Sequence, residues 1–417
     1  MKKIAAIDVG TTKIVTIVGE SSDDAKIKIV KWHQSPSAGI EKGNVVNIPQ
    51  IVQKIKENLN HIYDSLPNNK EFFVGVAGQY IYVKRTKTNL NFENERKIDD
   101  DVLEKLEKKA AQIQINEDEE VVEVLSSSFL IDDERPVKNP IDMIAQSSIE
   151  GDFLIVIAKI TNLSNLKTSV KTAGINIKSL CLEPVASSLA VLRGEDKKTC
   201  VAILDIGGGT SDLAVYEDGK LIFVAVIPVG GQYITNSIAE KFSIDNSLAE
   251  KIKVQFGLNY YKDTVINYKE ANISINSEDV FNIIKESYKK IFSAVLFQLK
   301  TISYKDKVKR IIITGGGSKT KNLSQFANYC TNYEVRIAGP SLSSDSAAET
   351  DNLNDAQYST AVGLLQLAAK YYKNESVKEE EEGKDKKEGK NNTEKEEHNK
   401  KKNNFFEKIF NSNLFES

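Results

Sequence analysis

Histidine, cysteine, methionine and tryptophan are all scarce in this chain: three, three, two and one among 417 residues. None of the histidines falls in an HExxH pattern, which argues against a histidine-based metal centre. Cys181, Cys200 and Cys330 are odd in number, far apart and without CxxC spacing. That usage gives no zinc framework and fits a reducing compartment. An excess of basic charge is also missing, since 56 Lys and Arg face 59 Asp and Glu for a net charge of −3. A general nucleic-acid binder concentrates positive charge to neutralise phosphates, so nucleic acid is not an expected partner. No stretch approaches the roughly 20 apolar residues of a membrane span. "MKKIAAIDVG" opens like a secretory signal, but Asp8 interrupts the apolar run too early. Together these absences predict a cytoplasmic, non-secreted protein.

What is present is a long chain, 40% hydrophobic, with material for two or more domains. Two stretches resemble each other: "IAAIDVGTTKIVTIVGE" from Ile4 and "VAILDIGGGTSDLAVYEDG" from Val201. Each reads as an apolar strand ending in Asp, a small turn with Gly and Thr, and a second apolar strand. The duplication predicts two related halves. "RIIITGGGSKTKNLSQFAN" adds a buried strand, three glycines and a helix, and "LCLEPVASSLAVL" a helix with Pro184 in its first turn. Between the halves, "KIDDDVLEKLEKKAAQIQI" reads as an amphipathic helix, followed by strands at "EEVVEVLSSSFLI" and "DFLIVIAKI". A mostly helical region spans about 231–305.

Glycine turns between strands let backbone N–H groups approach phosphate oxygens, because no Cβ stands in the way. Thr11, Thr12 and Thr210 add hydroxyls, and Lys13 a positive charge. Asp8 and Asp205 end their strands beside those turns, and two carboxylates next to a phosphate chain call for a cation between them, which points to Mg²⁺. Taken singly, "DIGGGTSD" also reads as an ordinary tight hairpin. Neither glycine cluster has the GxxxxGK[ST] or GxGxxG spacing, which disfavours P-loop and Rossmann folds.

The set resembles the actin, Hsp70 and sugar-kinase ATPase superfamily: "DVGTTK" its first phosphate loop, "LEPVASSLAVL" its connecting helix, "DIGGGTSD" its second phosphate loop and "TGGGS" its adenosine loop, in the family's order. Within it the chain is similar to the FtsA family of bacterial cell-division proteins, through "GVAGQYI", "FLIDDERPVKNPIDMIA" and "IPVGGQYITNSIAEKFSIDNSLAEKIKVQFG". The resemblance covers residues 1 to about 370 and the last fifteen or so. "SSSF" and "NPIDM" depart from the family's usual insert.

That resemblance implies an α/β fold, an actin-like ATPase with duplicated ribonuclease-H-like domains and a small α+β insert. The expected domains are 1–83 with 161–199, the insert 84–160, 200–230 with 306–372, the helical subdomain 231–305, a disordered charged linker 373–402 and an amphipathic helix 403–417. Carried over by position, Gly10, Thr11, Thr12 and Lys13 with Gly207, Gly208, Gly209 and Thr210 would surround the phosphates of ATP. Asp8 and Asp205 would organise Mg²⁺, Glu250 and Lys253 touch the ribose or base, and Gly315, Gly316, Gly317 and Ser318 form the adenosine loop. Glu183 would orient the attacking water, in a hydrolysis expected to be weak.

Composition shifts near residue 373 to Lys, Glu, Asp and Asn, a tract that cannot bury enough apolar surface to order itself; a long solvated helix is the other reading. Beyond it, Phe405, Phe406, Ile409, Phe410 and Leu414 share one face of a helical wheel, with Phe415 off the stripe. Lys400 to Lys402 would attract an anionic leaflet at about 1 kcal/mol each. Such a segment suits a helix lying in the membrane interface, or one docking on its own body. The resulting expectation is an ATP-bound adaptor that self-associates into filaments, ties FtsZ to the cytoplasmic face of the inner membrane at the septum, and recruits other divisome proteins. The alternative is a pilus-assembly or metabolic ATPase or kinase of the same fold.

Overall fold

The structure is a computed structural model; it describes residues 1–134, 136–262, 264–268, 273–342 and 352–388, with side chains as far as Lys373. In the first half, strands β1 (Lys2–Val9), β2 (Lys13–Ser21) and β3 (Ile27–Pro36) precede helix α1 (Ile48–His61) and β4 (Glu71–Val76). The insert follows as β5 (Ile81–Asn91), α2 (Asp100–Ala110), β6 (Glu119–Ile131) and β7 (Ser148–Lys159). The chain returns through α3 (Ile160–Thr172), β8 (Asn176–Leu182) and α4 (Glu183–Val191). The second half holds β9 (Val201–Ile206), β10 (Ser211–Glu217) and β11 (Lys220–Ile227), then α5 (Gly231–Phe242), α6 (Asn246–Phe256) and α7 (Ser277–Thr301). It closes with β12 (Arg310–Thr314), α8 (Leu323–Thr331), β13 (Glu334–Ile337) and α9 (Ser359–Glu388).

The sheet orders β8-β4-β1-β2-β3 and β13-β12-β9-β10-β11 are the same topology used twice, with matching antiparallel hairpins and parallel crossovers. β1 and β9 are apolar nearly throughout because layers cover both their faces. α4 and α9 lie between the sheets, where Val185, Ala186 and Leu364 join Ile4, Ala6, Val201 and Ile203 in one core. α1 and α3 cover the outer face of the first sheet, and α5 to α8 that of the second. The insert sheet, β5-β7-β6, packs α2 over a core of its own. The Asp99 carboxylate caps α2 by accepting from the Val102 N–H at 2.9 Å, and Asp100 and Asp101 in the first turn oppose Lys108 and Lys109 in the last.

Two boundaries differ from expectation. β5 crosses residue 84, so the insert begins no later than Ile81; its first strand carries charged residues along one face and lacks a continuous apolar signal. The tract read as a flexible linker from residue 373 begins as helix, because α9 continues to Glu388. Its packed first turns supply the nucleus, and Lys and Glu propagate a helix at small cost per residue. Residues 389–402 and the amphipathic segment with Phe405, Phe406, Ile409, Phe410 and Leu414 lie outside the described residues. Among the described residues no helix is long and apolar enough to cross a membrane.

The crossing of α4 and α9 depends on Gly363, where a Cβ would stand 1.8 Å from the Ala186 carbonyl oxygen. Gly363→Ala is therefore expected to force the helices apart and cost about 2 kcal/mol. Urea unfolding measures this, and a loss below about 0.5 kcal/mol would mean the helices separate freely.

Candidate functional site

Both hairpin turns are built alike. The Gly10 N–H donates to the Lys13 carbonyl at 3.0 Å, and the Gly207 N–H to the Thr210 carbonyl at 2.9 Å. Each turn follows a strand with Asp as its penultimate residue, so Asp8 and Asp205 arrive at equivalent places, 7% and 8% exposed. The antiparallel register then sets Asp212 opposite Asp205. Glu183, in the first turn of α4, completes a group of four carboxylates lining one cavity. Lys13 is the one cation among the described residues of that lining; its ammonium bonds to the Gln357 carbonyl at 2.5 Å.

Burial dominates the electrostatics. It raises the Asp8 carboxyl to about 6, with Lys13 opposing and Asp205 adding to the rise. Asp205 is raised for the same first reason, moderated by the hydroxyls of Thr360, at 3.1 Å, and Ser187. Glu183 and Asp212 are pushed well above the carboxylate range by burial and then by the acids around them. Burial also pulls the Lys13 ammonium below the usual lysine range, against the attraction of Asp8, Asp205 and Asp355. One oxygen of Asp212, Oδ1, is buried without a hydrogen-bond partner. A site with this donor set suits a divalent cation and phosphate oxygens. Among the described residues no three His, Cys, Asp or Glu groups are placed to ligate a metal directly, so phosphate and water oxygens would complete its coordination.

The two turns meet across the cavity. A Cβ on Gly208 would stand 2.3 Å from Thr12 Cγ2, and one on Gly209 2.4 Å from Thr11 Oγ1. Gly10 to Lys13, Gly207 to Thr210, Asp8, Asp205, Glu183, Gly315 and Gly316 are thus brought together. Other expected residues stand back from the lining. Glu250 and Lys253 pair at 2.6 Å behind the second turn, where the Lys253 ammonium donates to the Gly231 carbonyl at 3.1 Å. The Gly231 N–H in turn donates to the Gly207 carbonyl at 2.9 Å, so this pair braces the turn from outside. Ser318 is buried and its hydroxyl donates to the Gly315 carbonyl at 2.7 Å, while the Tyr288 hydroxyl donates to the Gly317 carbonyl at 2.8 Å. Asp212, Gln357 and Thr360 were not singled out by sequence. The end of "DIGGGTSD" carried a signal for Asp212, but nothing local marks the other two. All three cysteines are free, Cys181 and Cys200 buried.

The sequence matches the family "Cell division protein FtsA" over residues 202–363 and "SHS2 domain inserted in FTSA" over residues 78–157. The Cell division protein FtsA of Pseudomonas aeruginosa is 28% identical over 377 residues, covering 87% of this chain and 88% of that protein. Among solved structures, a PilM-PilN type IV pilus biogenesis complex aligns with a TM-score of 0.66 at 14% identity, over 88% of this chain and 98% of that one. MreB5 of Spiroplasma citri bound to ADP aligns with a TM-score of 0.50 at 13% identity, over 93% and 99%. Duplicated sheets joined by α4 and α9, the insert between β4 and α3, and these matches lead to one conclusion: the chain belongs to the FtsA family of cell division proteins and has an actin-like ATPase fold.

Proposed function

We propose that the cleft binds ATP with Mg²⁺, and that the nucleotide-bound protein polymerises and anchors FtsZ to the cytoplasmic face of the membrane at the division septum, recruiting later division proteins. The observation that carries this reading is the meeting of two equivalent glycine turns over four carboxylates and one lysine in an FtsA-family chain. Because the turns touch, phosphates enter by parting the halves about the α4–α9 layer. The N–H groups of residues 10–12 and 207–210 then face the phosphate oxygens, and Lys13 exchanges its carbonyl partner for them. Asp8 and Asp205 would hold Mg²⁺, which when bound offsets the charge of phosphates and carboxylates alike. Glu183 faces the same space and positions water, by hydrogen bonding or as a base, once a cation lowers its proton affinity. Gly315 to Ser318 shape the adenosine side, and Glu250 with Lys253 support it from the second turn.

The membrane contact falls to Phe405, Phe406, Ile409, Phe410 and Leu414. A single short helix binds lipid weakly, and a filament multiplies it through avidity. Removing 403–417 is expected to cut co-sedimentation with anionic vesicles by about tenfold or more while leaving ATP affinity within about twofold. FtsZ should pellet with vesicles only in the presence of the full chain. Unchanged vesicle binding by the truncated protein would sink the anchoring role.

A further inference from the structure

The segment "GIEKGNV" between β3 and α1 forms a small hairpin, with Ile40 and Glu41 pairing Val45 and Asn44. Its Ile40, Gly43 and Val45 line the cleft. Its Gly43 N–H donates to Thr11 Oγ1 at 3.0 Å, and Lys42 Cα lies 2.8 Å from where a Cβ on Gly209 would stand. One hairpin therefore touches both glycine turns.

The same hairpin touches both chain connections of the insert. A Cβ on Gly43 would stand 2.7 Å from Gly78 Cα, just before β5, where φ is +123°. On the other connection, Asn162 in the first turn of α3, just after β7, donates from Nδ2 to Asn44 Oδ1 at 2.9 Å. Asn44 is buried, and its own Nδ2 donates to the Lys42 carbonyl at 3.0 Å, which ties this link to the residue that abuts Gly209.

We infer that the hairpin Ile40–Val45 couples occupancy of the cleft to the position of the insert. This rests on the nucleotide reading above. Phosphates that part the turns must move Thr11 relative to Gly209, and an element held to the first and packed on the second cannot keep both contacts. Its displacement is passed to Gly78 and Asn162, the two necks from which the insert hangs. A second route exists where the insert packs on the second half: Leu125, Leu154 and Val156 share a core with Leu221 and Val224, and the Lys138 ammonium donates to the Asp218 carbonyl at 3.0 Å. Substitutions at the Asn44–Asn162 bond separate the two routes.

The test is amide hydrogen exchange on the full chain, with and without saturating ATP and Mg²⁺, beside calorimetric titration of the same nucleotide. In the wild type, ATP should change exchange at peptides spanning 78–84 and 157–165 by about threefold or more. Asn44→Ala and Asn162→Ala should bind ATP within about twofold of wild type, keep the exchange response at residues 8–13, and lose most of the response at 157–165; in Asn162→Ala the Gly43–Gly78 contact leaves the response at 78–84 in place. Asn162→Ala leaves the hairpin's own bonds intact, so it stands if Asn44→Ala folds poorly. Wild-type binding with unchanged necks, or a full response at 157–165 in Asn162→Ala, overturns the coupling alone. Absence of ATP binding by the wild type overturns both readings.

Discussion

Lys13→Ala is expected to lower ATP affinity more than about a hundredfold, a loss of about 3 kcal/mol, because among the described residues it removes the one cation from a lining that holds Asp8, Glu183, Asp205 and Asp212. The Lys13 ammonium bonds to the Gln357 carbonyl and lies 5.5 Å from the centre of the Tyr358 ring. These are neutral partners, which a phosphate oxygen can outcompete. Four carboxylates without Lys13 would repel the incoming phosphates directly. Calorimetric titration of ATP with Mg²⁺ measures the effect, with Lys319→Ala as the comparison, since Lys319 is half exposed and paired with Asp355. Affinity of the Lys13 variant within about threefold of wild type would show that this ammonium does not face the phosphates.

The second expectation concerns pH. The Asp8 carboxyl is raised from the usual 3.8 to about 6 in the folded protein. The folded state therefore binds the proton more tightly, and this contribution is fully present below about pH 4 and lost as pH rises through about 6. At about 1.4 kcal/mol per tenfold in proton affinity, the loss is about 3 kcal/mol for the nucleotide-free protein. Asp205, Asp212 and Glu183 shift in the same direction, so the total dependence is steeper than Asp8 alone supplies. Asp8→Asn isolates its share. The variant should gain on wild type by about 2 kcal/mol between pH 4 and 7 in urea unfolding at each pH. Parallel profiles for the two proteins would mean that Asp8 is ionised at little cost and that the cleft is wetter than its burial indicates.

Both expectations start from residues that can be found without coordinates. Asp8, Lys13 and Asp205 stand in or beside short turns, and a turn closed by one hydrogen bond across four residues leaves its pattern in adjacent letters. The same locality made β1, β2, β9, β10 and β12 readable from alternating or continuous apolar runs, and α4 from Pro184 and its following apolar face. β5 was missed because its side chains are largely half-buried or exposed, so no apolar run announced it. The extension of α9 to Glu388 was misjudged because composition measures the means to form a core, and a helix already nucleated by packing needs none.

By itself, then, the sequence determined the repeated strand–turn–strand units, the carboxylates that end them and the order in which they come, because each is set by neighbours a few residues apart. Only the tertiary structure decided how those units meet. It set Thr360, 155 residues from Asp205 in the chain, within hydrogen-bond reach of it, and placed Gln357 over Lys13. It tucked Glu250 and Lys253 behind the second turn and brought the hairpin at Ile40–Val45 against both turns and both necks of the insert. Such contacts form when sheets and helices pack to bury their apolar faces, and packing joins residues without regard to their separation along the chain.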